Sequence, residues 1–328
     1  MEVSELLNIV DGYQQTRILF SAIEIGIFER INNNPSNSAE VSAECGTDSR
    51  YTESILNSLV SMKLLNKKDN IYDNSDAADQ YLVKASESYI GDIILFTGNY
   101  WDTWGKLSSS IKEGKPQSKP YIEKQHDEEW EYFIKGMHNF ALSRGDAEKT
   151  TQLIDLSSYS NLLDIACGPG TYSFELAKKY SNLKVILFDL PNTIDITKRI
   201  GIEYPVSDRI KYIAGDYNRD DFPASYDCAL LFNIIHQENS DSNGNLIKKI
   251  YNNLEEGGIL IIKDHILNEN KTLPEDGSIF SVQMRLINGN RCYSEYEVRT
   301  WMSKAGFREI TKIGPVAPMT SAFITGIK

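Results

Sequence analysis

The stretch Leu162–Ala177, LLDIACGPGTYSFELA, decides how the chain is read. An apolar run closes on an acid, a turn of small residues carries two glycines around a proline, and an amphipathic segment follows. That order predicts a buried strand, a tight loop and a helix, the opening unit of a doubly wound α/β sheet. In such sheets ligands bind beyond the C-terminal ends of the strands, where the strand order reverses, and the first glycine loop forms the floor. Gly168 and Gly170 suit that floor. A GxG pair alone, however, serves any tight turn.

Downstream, short apolar runs alternate with helical stretches: KVILFDL (184–190), RIKYIAG (209–215), YDCALLFNII (226–235) and GGILIIKDHIL (257–267). Such runs suit strands buried on both faces of a parallel sheet. The end of the chain differs, because FREITKIG and SAFITGIK are joined by PVAPMT, too short for a crossover, and predict an antiparallel hairpin. Two further acids lie at strand ends. Asp189 follows Gly170 by 19 residues, where a carboxylate can accept from both ribose hydroxyls. Asp216, in AGDY, can face an adenine amino group, and Asp164 at the start of the loop can orient the amino group of an amino-acid tail. Ser173 stands where a dinucleotide fingerprint has its third glycine, and no GK[ST] follows, so a nucleoside without phosphates fits better than NAD.

The remainder of the chain bounds the function. With 328 residues, 41% of them apolar, there is ample core for two domains or one large one. A net charge of −12 disfavours a nucleic-acid partner, since that binding rests on cations displacing counterions. Cys45, Cys167, Cys228 and Cys292 lack CxxC spacing and support neither a disulfide framework nor a zinc site. The start of the chain is acidic, and no apolar run approaches the roughly 20 residues that span a bilayer, so a cytoplasmic protein without a membrane partner is expected. Residues 1–100 read as capped helices followed by a short strand pair, the pattern of a winged helix. Residues 1–90 carry seven Lys and Arg against fourteen Asp and Glu, so this module suits a protein contact better than DNA. Leu19, Phe20, Ile23, Ile27 and Phe28 predict more apolar surface than so small a unit buries alone, and hence a homodimer. Residues 101–155 read as a helical connection with an aromatic and methionine stripe, which suits either core packing or a pocket wall.

In this order, LLDIACGPGTYSFELA, VILFDLP, IAGDY, LLFNIIHQE and GGILIIKDHIL resemble the S-adenosylmethionine-dependent small-molecule O-methyltransferases of plant and bacterial secondary metabolism. The resemblance covers nearly the whole chain. It implies a winged-helix dimerisation domain over 1–100 and, over 101–328, a Rossmann-like class I methyltransferase domain with a terminal antiparallel hairpin. It further implies that Gly168 and Gly170 pass under the methionine part of S-adenosylmethionine, with Asp164 nearby. Asp189 would hold the ribose, Asp216 with Tyr217 would flank the adenine, and Leu190 and Phe232 would also contact the cofactor. Phe133 and Met137 resemble a family F-x-x-x-M pair beside the methyl group, and Asn233 and Met284 join them in lining the acceptor pocket.

His236 stands where the family carries its general base, and imidazole, with a pKa near 6.5, is suited to taking a phenolic proton. Asp264 stands where a glutamate orients that base. Gln237 and Glu238 replace the family's aspartate and tryptophan, Phe232 replaces a basic residue near the adenine, and a second family glutamate corresponds to about Cys292. His236, Asp264 and His265 match no metal-ligand spacing, and no metal is expected. The expected reaction is O-methylation of a hydroxylated aromatic or polyketide-like molecule. Its alternatives are N- or C-methylation or a non-methylating relative within the fold, a ligand-sensing transcription factor of another class, and an NAD-linked dehydrogenase.

Overall fold

The structure, a computed structural model, describes residues 1–118, 129–223 and 225–328. Its contacts divide the chain into two compact units, Met1–Asn99 and Tyr100–Lys328. In the first unit, helices Val3–Ile25 and Ile27–Ile31 are followed by Ser38–Cys45 and Ser49–Ser61. Asn37 and Asp48 cap the latter two, each accepting from the first free N–H groups with its side-chain oxygen. Strands β1 (Leu65–Lys68) and β2 (Ile71–Asn74) form an antiparallel hairpin, and helices Asp76–Tyr81 and Gly91–Gly98 complete the unit. Phe28, Ile31, Val41, Leu56, Leu59 and Tyr72 form its core.

One expectation about this unit is corrected. Ile23, Ile27 and Phe28 are buried in its core, because the break after Ile25 folds the short second helix back onto that core, and Phe20 is buried as well. The uncovered apolar side chains lie earlier, where Val3, Leu6, Leu7, Ile9, Val10 and Tyr13 of the first helix are each more than half exposed.

In the second unit, helices Trp101–Trp104, Leu107–Glu113, Glu129–Ser143 and Asp146–Leu153 precede a seven-stranded sheet. Its strands are β3 (Asn161–Ile165), β4 (Lys184–Asp189), β5 (Ile210–Ala214), β6 (Tyr226–Phe232), β7 (Leu254–Asp264), β10 (Arg308–Ile313) and β11 (Ala322–Ile327). The order is β10-β11-β7-β6-β3-β4-β5, with β3, β4, β5, β6 and β7 parallel and the last two strands antiparallel. A small parallel pair, β8 (Ile266–Leu267) and β9 (Tyr293–Ser294), which the sequence reading did not anticipate, lies outside this sheet.

Successive strand residues point to opposite faces, so the sheet has two cores. Leu162, Leu187, Leu230 and Phe323 meet Phe174 and Ile196 on one face; Leu163, Phe188, Leu231 and Ile262 meet Ile250 and Trp301 on the other. The order reverses between β3 and β6, which opens a crevice above their C-terminal ends.

Candidate active site

The loop after β3 is a cradle of backbone atoms. Gly168 and Gly170 both adopt left-handed conformations, at φ 54° and 75°. They differ in what surrounds them. A Cβ on Gly170 would come within 3.0–3.1 Å of Leu187, Phe174 and Thr197, so this glycine lets the Thr171–Lys179 helix pack on the sheet. A Cβ on Gly168 would meet no atom within 4 Å, so the space in front of this residue is open. Thr197 holds the loop from behind, its hydroxyl donating to Gly168 O at 2.6 Å. Ala166 and Asn233, at the ends of β3 and β6, also sit at positive φ (55° and 57°), a strained conformation that recurs at ligand sites.

Asp189 ends β4 and accepts from the Gly168 N–H through Oδ2 and from the Leu190 N–H through Oδ1, both at 2.7 Å. The Thr193 side chain hydrogen-bonds to the same carboxylate, and since a carboxylate has about four lone-pair sites, one remains open for a ribose hydroxyl. Burial raises the Asp189 pKa to about 6 against the opposing backbone N–H groups. Asp164 is 4% exposed, and its Oδ2 accepts from Ser173 Oγ at 2.6 Å. Burial raises its pKa to about 7 despite the Ser173 bond, with the neighbouring Asp189 adding to the effect. The serine that broke the dinucleotide pattern is thus the partner of the buried acid.

Around the crevice, Asp216 accepts from the Asn218 N–H at 2.9 Å and lies 3.5 Å from Arg219 Nε, so its carboxylate shapes its own loop. Tyr217 donates its hydroxyl to Glu238 at 2.8 Å, and Asn218 Nδ2 donates to the same oxygen. Phe232 is buried, with ring centroids 5.4 Å from Tyr172 and 5.8 Å from Phe323. Asn233 N donates to Lys263 O at 2.7 Å. Phe133 packs 5.1 Å from Trp130, Met137 is half-buried on the same helix, and Met284 is fully buried on helix Glu275–Ile287.

The second half of the site gathers on His236, which is 4% exposed in a short turn after β6. Its Nδ1 lies 2.8 Å and 3.0 Å from the two Asp264 oxygens at the end of β7, and the Asp264 carboxylate also accepts from the His265 N–H at 2.7 Å. Burial works against ionisation of Asp264, but His236 and His265 outweigh it, and the carboxyl is held below its ordinary value. The Phe280 ring stands edge-on to His236 at 4.9 Å. Gln237 Nε2 lies 3.1 Å from His236 Nε2, and Gln237 Oε1 accepts from Asn288 Nδ2 at 2.9 Å.

The late segment therefore approaches the base through Asn288 and Asn290. Cys292, the position the sequence reading had aligned with the second family acid, is buried, and its N–H donates to Ser281 Oγ. Sequence reasoning also missed a buried group beside the site, where Lys263 Nζ is 3.0 Å from Tyr172 OH and 3.3 Å from Asp146 Oδ2. A lysine inside an apolar strand was the available signal. Among the described residues no group of three or more His, Cys, Asp and Glu is placed to hold a metal ion.

Two family models match the chain: an O-methyltransferase dimerisation domain over residues 7–84 and an O-methyltransferase domain over 104–308. The chain is 25% identical over 329 residues to a 3-hydroxy-5-methyl-1-naphthoate 3-O-methyltransferase of Streptomyces sahachiroi, across 98% of this chain and 94% of that protein. It is 26% identical over 325 residues to the acetylserotonin O-methyltransferase of Bos taurus, across 94% and 93%. Its fold matches human N-acetylserotonin methyltransferase, solved in complex with SAM, at a TM-score of 0.89 and 22% identity, across 100% and 98% of the two chains. The chain belongs to the O-methyltransferase family, with that family's dimerisation domain ahead of a class I methyltransferase fold.

Proposed function

We propose that the protein methylates a hydroxyl of a hydroxylated aromatic or polyketide-like small molecule, using S-adenosylmethionine and His236 as general base. The observation that carries this reading is the buried His236–Asp264 pair at the C-terminal ends of β6 and β7, with Nδ1 on the carboxylate and Nε2 turned away from it. Asp264 holds the tautomer with hydrogen on Nδ1 and stabilises the imidazolium that forms, leaving the Nε2 lone pair to take the acceptor's proton. The acceptor oxygen loses its proton to Nε2 and gains the methyl group. S-adenosylmethionine supplies that methyl on a sulfonium, whose displacement needs the acceptor oxygen in line.

The chain's residues fit that nucleoside. The open face of Gly168 admits it, the open lone-pair site of Asp189 suits a ribose hydroxyl, and Leu190, Asp216, Tyr217 and Phe232 are assigned to the sugar and adenine. Phe133, Met137, Asn233 and Met284 are assigned to the acceptor pocket, where they exclude water and orient the ring.

The same reading makes the protein a homodimer through residues 1–100. The exposed apolar start of the first helix supports this, since a solvent-facing run of that size calls for a partner, and the dimerisation model covers much of it. Two measurements test the reading. Incubation with S-adenosylmethionine and a panel of phenols and hydroxyquinones is expected to yield S-adenosylhomocysteine together with an O-methyl product. Sedimentation is expected to give a dimer that Leu6→Asp with Val10→Asp dissociates. Release of S-adenosylhomocysteine with methyl on nitrogen or carbon would reassign the reaction; no nucleoside binding would overturn it.

A further inference from the structure

The Nε2 atom of His236 is already engaged, and the direction of that bond is fixed by a backbone group. The Asn290 N–H donates to Asn288 Oδ1 at 2.9 Å, and a backbone amide cannot reverse its role. Asn288 must therefore present its NH₂ to Gln237 Oε1, at 2.9 Å. Gln237 in turn presents its NH₂ to His236 Nε2 at 3.1 Å, and His236 donates from Nδ1 to Asp264. The donors run in one direction from a main-chain N–H to a carboxylate. Gln237 is held at its main chain as well, where its carbonyl accepts from Asn290 Nδ2.

This arrangement sets a condition on the acceptor. A hydroxyl that donates to Nε2 takes the place of the Gln237 N–H. That N–H then needs another acceptor, and its amide cannot swing away without also breaking the Asn288 bond. A site built around a polar donor discriminates against ligands that leave it unpaired. An ortho or peri hydroxy-carbonyl supplies the missing acceptor, since its two oxygens lie about 2.5–3.0 Å apart, the ordinary O–H···O spacing. The two nitrogens that would meet them are separated by 3.1 Å. In free solution such a hydroxyl is tied to its own carbonyl and is a poor proton donor to a base. Giving the carbonyl the Gln237 N–H frees the hydroxyl for His236.

We propose that Gln237, oriented by Asn288, is a specificity-determining residue that selects acceptors carrying a carbonyl oxygen adjacent to the methylated hydroxyl. The proposal rests on the methyltransferase reading above and names the substrate class within it.

The test compares 1-hydroxy-2-acetonaphthone with 1-naphthol, which lacks the carbonyl. Each is titrated into the intact protein saturated with S-adenosylhomocysteine, and each is assayed for turnover with S-adenosylmethionine. The wild-type protein is expected to prefer the hydroxyketone by about ten- to a hundred-fold. Gln237→Leu is expected to bring the ratio near one while leaving S-adenosylhomocysteine affinity unchanged. Asn288→Asp offers only acceptors to Gln237, turns its amide so that Oε1 faces His236, and is expected to lose the same preference by a different route. A wild-type ratio near one, binding of neither probe, or a preference that survives both substitutions overturns the proposal. Failure to bind S-adenosylhomocysteine at all overturns the methyltransferase reading beneath it.

Discussion

The nucleoside half and the acceptor half of the crevice differ in what holds them. At the glycine loop the groups that are held are main chain, two N–H groups and a carbonyl, met by the Asp189 carboxylate across 21 residues from Gly168 and by the Thr197 hydroxyl across 29. At His236 they are side chains, joined across 28 residues to Asp264 and, through Gln237, across 51 to Asn288. The first half is specified by a short motif and its neighbouring strand end. The second exists only once β6, β7 and the segment after helix Glu275–Ile287 have come together. Substitutions should separate along the same line, with losses of turnover on one side and losses of nucleoside affinity or of folding on the other.

The largest expected effect is on the acceptor side. His236→Ala should lower kcat by about 10²–10⁴-fold, the range of general-base catalysis, with nucleoside affinity nearly unchanged. The assay needs a verified acceptor whose pKa lies well above the assay pH, because an already ionised acceptor does not call on the base. Asp264→Asn should cost less, since the imidazole remains. Full turnover by His236→Ala on such an acceptor would place the base elsewhere and erase the contrast between the two halves.

On the nucleoside side, Asp189→Ala should weaken S-adenosylhomocysteine binding by about 1.5–3 kcal/mol, the worth of charge-assisted bonds to the ribose. Calorimetry measures this directly. An unchanged affinity would move the ribose away from β4.

A smaller effect follows from pH. Asp189 titrates at about 6 in the nucleoside-free protein, and ribose hydroxyls donating to it favour its ionised form. Binding should therefore release a proton and tighten about tenfold between pH 5 and pH 7, and Asp189→Asn should flatten that dependence. The linkage to stability has the opposite sense. Asp189 and Asp164 are held above the unfolded carboxylate value, so the folded state binds more protons than the unfolded one between about pH 4 and the values near 6 and 7. Their contribution to stability accordingly falls as pH rises through that window.

The smallest effects divide the glycine pair. Alanine at either position carries left-handed backbone strain of about 1–2 kcal/mol. Only Gly170→Ala adds crowding against Leu187, Phe174 and Thr197, so it should lower the melting temperature further than Gly168→Ala. Gly168→Ala should be the variant that loses nucleoside affinity, because its new methyl projects into the open space. The reverse ranking would mean that the floor of the site is misassigned.

Much of this architecture was legible before any coordinates. The alternation of apolar runs with helical stretches marked the parallel strands, and the short PVAPMT link marked the antiparallel pair, because both depend on periodicity and chain length. Gly168, Gly170 and Asp189 were readable as one unit because a tight turn and the adjacent strand end leave few alternatives. His236 and Asp264 were readable as ends of neighbouring strands.

The amide chain from Asn290 through Asn288 and Gln237 to His236 was not legible, nor was the pairing of Ser173 with Asp164 or of Lys263 with Asp146 and Tyr172. The apolar face of the first helix was placed too late along the chain for the same reason: burial of Phe20, Ile23, Ile27 and Phe28 depends on what packs over them. Local pattern follows from backbone geometry and hydrophobic period, which act over a few residues. Which polar side chains become partners depends on a few ångströms of packing between segments far apart in sequence, and no spacing rule records that distance.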